Sequence, residues 1–137
     1  MKRIITIAAA LLLFLPALSA QETETPKINK KNLVIKEWNT DARSNARVLD
    51  HVTTYNPDGK KIEEIEYGQN RQKWRKRYEY GANGKVSREL LYDERNKLVT
   101  IKKFEYNEFG RKKTQYNYDA KGKPVSYKVF EYITEDA

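Results

Sequence analysis

Seven tyrosines, at positions 55, 67, 80, 92, 106, 118 and 132, recur along the chain in steps of 12, 13, 12, 14, 12 and 14 residues. Such a step is too short for a helix-turn-helix repeat and fits a strand of about 8 residues followed by a tight turn. Five of these tyrosines start the same pattern. A Gly or Asn sits four residues on, and a Lys or Arg follows it: Tyr55, Gly59, Lys60; Tyr80, Gly84, Lys85; Tyr92, Asn96, Lys97; Tyr106, Gly110, Arg111; Tyr118, Gly122, Lys123. The spacing predicts an all-β chain, an antiparallel meander of seven or eight strands with turns at residues 56–60, 68–72, 81–85, 93–97, 107–111 and 119–123. Its glycines fall in those turns, where a positive φ would be needed, and Asn96 is the residue type that best replaces glycine there.

The remainder of the 137 residues suits one domain. Met1-Lys2-Arg3, the apolar-rich run Ile4 to Leu15 and the small residues of Pro16 to Ala20 read as a signal peptide over residues 1–20, too short to span a bilayer. Residues 21–32 are polar and contain Pro26, which suggests a flexible lead-in, and residues 33–137 form the β-repeat domain. Export and a periplasmic or extracellular location follow, with no transmembrane segment after cleavage. The chain has no cysteine, so disulfides and thiolate metal sites are excluded.

Alternation along each strand assigns faces. With Tyr80 opposite Val86, one face would carry Ile65, Tyr67, Trp74, Tyr78, Tyr80, Leu90, Tyr92, Phe104, Tyr106, Tyr116 and Tyr118. The other would carry Glu64, Glu66, Lys73, Arg75, Arg77 and Glu89. This register sets Arg75 against Glu66 and Arg77 between Glu64 and Glu89. It also sets Tyr78 against Arg88 and Tyr116 against Lys102.

The chemistry read from these positions is binding rather than catalysis. His51 is the single histidine, Asp50 beside it points the other way, and the register sets it against Ile65, a packing position. Glu64 and Glu66 share a face, but arginine partners would keep both ionised, unlike a general acid. No phosphate loop, nucleophile elbow or metal-ligand spacing is present, so no cofactor or metal is expected. The chain carries 27 Lys and Arg against 19 Asp and Glu, a balance that favours anionic partners. An export signal argues against nucleic acid. Rings interleaved with cations at Trp74, Tyr78, Arg88, Lys102 and Tyr116 therefore form the candidate site, for a glycan or another anionic envelope polymer. The plainer reading is that Lys and Arg stems cover rings that would otherwise be wet.

Tyr116-Asn117-Tyr118-Asp119-Ala120-Lys121-Gly122-Lys123 resembles the tyrosine-aspartate repeat of Rhs-type proteins, whose strand-turn-strand units build large β shells. Only Tyr92-Asp93 and Tyr118-Asp119 keep the pair itself. The layout of a signal peptide and a short Tyr/Gly/Lys hairpin array is similar to that of small secreted Bacteroides-type proteins of unknown function. That resemblance implies a fold class and a compartment and carries over no site residues.

A second expectation concerns the sheet edges. Leu33 to Trp38 and Val125 to Tyr132 are apolar on both sides, yet a meander places them outermost, where exposed strands are normally short or charged. Either the sheet curls until its edges meet in a barrel-like form, the expectation preferred here, or the edges pair with a homo-oligomer partner or an envelope protein.

Overall fold

The computed structural model describes residues 25–135, so the expected signal peptide lies outside the described residues. The chain forms one antiparallel sheet of eight strands in sequence order. They are β1 (Val34–Thr40), β2 (Arg47–Tyr55), β3 (Lys61–Gly68), β4 (Arg71–Tyr80), β5 (Val86–Tyr92), β6 (Leu98–Tyr106), β7 (Lys112–Asp119) and β8 (Pro124–Val129). There is no helix among the described residues. Each strand touches only its sequence neighbours. The sheet therefore does not close into a barrel, and the expectation that β1 and β8 meet is overturned. Both end strands are exposed along their whole length.

The turns explain the spacing. In five of them the residue after the tyrosine flanks a three-residue loop. Its N–H donates to the carbonyl four residues on, as from Asn107 to Arg111 at 2.8 Å, and its carbonyl accepts from the residue three on, as from Gly110 at 3.0 Å. That last residue takes a left-handed conformation at Gly59, Gly84, Asn96, Gly110 and Gly122, with φ between 64° and 80°. This is the type I turn with a glycine bulge that suits three-residue hairpins. Four of the five add a side chain. Asn56, Asp93, Asn107 and Asp119 each accept, through Oδ1, from the N–H groups two and four residues on, at 2.9 to 3.0 Å. An Asn carbonyl does this as well as an Asp carboxylate. Tyr55-Asn56 and Tyr106-Asn107 thus act as Tyr92-Asp93 and Tyr118-Asp119 do.

Two glycines depart from expectation. Gly68 ends β3 and Gly81 starts its turn, and neither has a positive φ. The β3–β4 connection is a two-residue turn in which Gln69 and Asn70 take φ of 49° and 63°, the left-handed pair that matches strand twist.

The larger correction concerns the faces. Tyr80 does pair with Val86, but Glu79 pairs with Arg88, so Ser87 is an extra residue. The same shift follows each of the other turns, at Ile62, Lys73, Val99, Lys113 and Val125. One extra residue inverts the facing of everything beyond it. The expected apolar face is therefore divided. Face A carries His51, Glu64, Glu66, Trp74, Lys76, Tyr78, Glu89, Leu91, Lys102 and Phe104. Face B carries Ile65, Arg75, Arg77, Leu90, Arg88, Tyr92, Tyr116 and Tyr118.

With apolar groups shared between two open faces, a sheet one layer thick has almost no core. Phe104, 8% exposed, is the one buried hydrophobic residue among those described. Lateral contacts take over. At one end of the sheet Tyr80, Tyr106 and Tyr132 each donate a hydroxyl hydrogen bond to the carbonyl that opens the preceding strand, at Lys61 (2.6 Å), Val86 (2.6 Å) and Lys112 (2.7 Å). Their rings lie under Lys60, Lys85 and Arg111, at 5.1, 5.7 and 5.3 Å. Lys30 covers Tyr55 in the same way at 5.5 Å. The N–H of Asn32 also donates to Asn56 at 3.0 Å, so the end of the expected flexible lead-in is tied to the β2–β3 turn. The recurring Tyr and Lys/Arg join neighbouring hairpins, each contact contributing roughly 0.5 to 1 kcal/mol at such exposure.

Candidate functional site

The bulges decide which candidate residues meet. Trp74 and Lys102 come together on face A. With Lys76, Glu89, Leu91 and Thr100 they line a shallow depression of about 350 Å³ across β4, β5 and β6. Lys76 lies over the Trp74 ring at 5.3 Å, and its Nζ is 3.4 Å from Glu89 Oε1, which also faces Lys102 at 3.9 Å. Two cations and one carboxylate leave the depression with one net positive charge. Tyr78 is on the same face, opposite Glu89 rather than Arg88.

Arg88 and Tyr116 are on the other face. Arg88 grips Glu79 with two hydrogen bonds, 2.7 Å from Nε and 2.9 Å from Nη2. That pair holds the Glu79 carboxyl below its usual range. Tyr116 is opposite Lys103 rather than Lys102, and its ring leans on Tyr127 of β8 at 6.3 Å. The five candidate residues therefore do not form one site.

The expected arginine partners of Glu64 and Glu66 are also absent. Arg75 and Arg77 instead approach Glu63 on face B, at 3.4 and 3.8 Å. On face A, His51 lies opposite Glu66, not Ile65. Its Nδ1 is 2.6 Å from Glu66 Oε2 and its Nε2 3.6 Å from Glu64 Oε1. The ring meets Trp74 edge-on at 6.0 Å. Glu64 further accepts from the Tyr78 hydroxyl and pairs with Lys61 at 3.2 Å. Partial burial raises the Glu64 carboxyl. The Tyr78 and Lys61 hydrogen bonds and the charges of Lys61 and His51 outweigh it, so the group titrates below its usual range. Burial, then the bond to Glu64, pushes the Tyr78 phenol far above its own. Glu64 so held is a fixed anion, not a proton donor. The reading from alternation missed this cluster because strict alternation carries His51 past Glu66. Only the extra residue at Ile62 brings them together. Among the described residues no group of three or more acidic or histidine side chains is placed to hold a metal ion.

The other unengaged surface is the β8 edge. Val125, Tyr127 and Val129 are 68%, 70% and 59% exposed. Tyr127 and Val129 occupy face B, Tyr127 beside Tyr116, and Val125 is the extra residue of the strand. β1 is better guarded. Lys36 and Glu37 interrupt it, Arg47 lies over its Trp38 at 4.5 Å, and Asp50 bulges from its partner strand. No known family model and no curated protein sequence matches the chain.

Proposed function

We propose that the protein is an exported, non-enzymatic assembly module that acts by pairing its last strand with an extended strand of another polypeptide. The observation that supports this reading is β8 itself, which is apolar on one face and carries a single charge, Lys128. It exposes three large apolar side chains at 59 to 70%, against 39 to 49% for Val34, Ile35 and Trp38 of β1, where an edge is normally short or charged. Strand addition to such an edge draws affinity from main-chain hydrogen bonds and specificity from alternate side chains. A photo-crosslinking residue at position 129 in the exporting cell tests it. The reading expects adducts that Tyr127→Lys removes and that a crosslinker at Glu94, on a turn, does not form. Equal crosslinking from 94 and 129, or none from 129, contradicts it.

The depression at Trp74, Lys76 and Lys102 favours a second reading, a shallow subsite for a glycan or other anionic envelope polymer. A ring flanked by two ammonium groups suits the face and carboxylate of a uronic acid unit. Titration with polygalacturonate should show binding that Trp74→Ala and Lys102→Ala each weaken. No binding at low salt, or binding indifferent to both changes, removes this reading. The lateral Lys-over-Tyr contacts weigh against it as the main function, because they already account for most rings interleaved with cations.

A further inference from the structure

We infer that the strand which pairs with β8 is the β8 of a second copy, antiparallel, with Tyr127 facing Tyr127 across a two-fold axis. This rests on the edge-pairing reading above and adds the identity of the partner.

Hydrogen-bond parity comes first. The N–H of Phe130 donates to the Lys113 carbonyl at 3.1 Å, so Phe130, Lys128 and Ser126 direct their main-chain groups at β7. The residues between them, Val129 and Tyr127, therefore turn theirs outward. An axis on Tyr127 makes that residue exchange both hydrogen bonds with its own copy.

Side chains then choose among registers. With the axis on Tyr127, Ser126 of each copy lies opposite Lys128 of the other, and Val129 reaches the main chain at the other copy's Val125. Ring meets ring at the axis, and no two like charges are opposed. Moving the axis to Lys128 sets two like charges directly against each other. Moving it to Ser126 carries Val129 past the start of the other strand and shortens the paired stretch. Shifts that change parity turn each apolar side chain to the wrong face.

The match is self-complementary, which is the condition for a closed two-fold dimer. It also extends a strip that already exists. Tyr116 and Tyr127, 6.3 Å apart, would continue into the second copy's Tyr127 and Tyr116 on face B. Pairing with the more heavily charged β1 would instead leave a free edge at each end and grow without closing.

Sedimentation velocity of the purified protein over a wide concentration range tests this. A monomer–dimer equilibrium with no larger species is expected. Tyr127→Lys should weaken association at least about tenfold by placing like charges at the axis. Ser126→Glu should strengthen it, since only this register opposes residue 126 to Lys128, and adding Lys128→Glu should undo the gain. These positions are exposed, so the monomer's thermal midpoint should hold in all variants. Association that survives Tyr127→Lys, fails in Val34→Lys, or grows beyond dimer overturns the inference. So does a monomer at every concentration. In that last case, position-129 adducts to a different protein in the cell would leave edge pairing standing while the second copy is excluded.

Discussion

The hydroxyl of Tyr80, at the end of β4, donates to the backbone carbonyl of Lys61, the first residue of β3, at 2.6 Å. The two residues are neighbours across the sheet and belong to the turns at either side of one hairpin pair. Their bond gives three of the repeating tyrosines, Tyr80, Tyr106 and Tyr132, a purpose that period alone does not reveal. A single-layer sheet has no second layer to hold its turns in line, and at this end of the sheet these tyrosines anchor the start of the strand before them.

Removing that hydroxyl should be felt. Tyr80→Phe and Tyr106→Phe should each destabilise by about 1 kcal/mol, the usual net worth of a hydrogen bond. Tyr116→Phe, which keeps the ring contact with Tyr127, should be close to neutral. Urea unfolding of the three variants decides this, and equal losses would mean that the ladder of hydroxyl bonds stabilises nothing.

The turn geometry makes a second prediction. Gly122 has φ of 80°, and a Cβ placed on it would meet nothing within 4 Å, so a substitution there tests backbone strain alone. Gly122→Val should cost about 1 to 2 kcal/mol, while Gly122→Asn should cost much less, since Asn96 occupies the matching site at φ of 64°. Gly68→Val should cost less than Gly122→Val. Its φ is not in the left-handed region, and the group in the way is the flexible end of Lys73. Thermal midpoints of the three variants check the order, and a Gly122→Asn as damaging as Gly122→Val would contradict it.

Glu64 sets a pH dependence. Its carboxyl titrates below the ordinary value of 4.5 in the folded chain. A depressed carboxylate contributes stability that is fully present above the unfolded value and is lost as pH falls through the folded one. Glu64→Gln should therefore cost most at neutral pH. The gap between the variant and the parent should narrow as pH falls below 4.5. Urea midpoints at pH values on both sides measure this, and a gap that widens in acid would reverse the sign argued for the Tyr78, Lys61 and His51 contacts.

The bulges also predict where the charges act. Because Arg75 and Arg77 serve Glu63 and not Glu64 or Glu66, Glu63→Gln and Arg75→Met should show coupling in a double-mutant cycle. Glu66→Gln and Arg75→Met should show none. Half-buried single pairs near the surface couple by roughly 1 kcal/mol or less, so the test is which pair couples. Coupling between Glu66 and Arg75 would restore the register of unbroken alternation.

What the sequence carried and what it hid separate at one residue per hairpin. Asn107 and Gly110 announce their turn openly, because a left-handed φ and a side-chain acceptor restrict residue type. Strand order follows from such short connections. Ser87 announces nothing. An extra residue in a ladder places no demand on side-chain type, and Ile62, Lys73, Val99, Lys113 and Val125 share no chemistry with it. Each nonetheless inverts the faces of the strand that follows. Trp74 and Lys102 kept a common face only because the inversions between them cancel, whereas Arg88 and Tyr116 went to the other side. The His51–Glu66 pair was hidden for the same reason. The exposed β8 was legible as apolar residues at an edge, but not that the sheet stays open, since closure depends on curvature that a linear pattern does not encode.

The most direct test of edge pairing is amide hydrogen exchange in β8, followed by nuclear magnetic resonance at rising protein concentration. Lys128 and Phe130, bonded to β7, should be protected throughout. Tyr127 and Val129 should exchange freely when dilute and become protected as concentration rises, with Tyr127→Lys abolishing the change at Val129. If Tyr127 and Val129 exchange at the unprotected rate at every concentration, β8 does not pair with itself and the account of this edge is wrong.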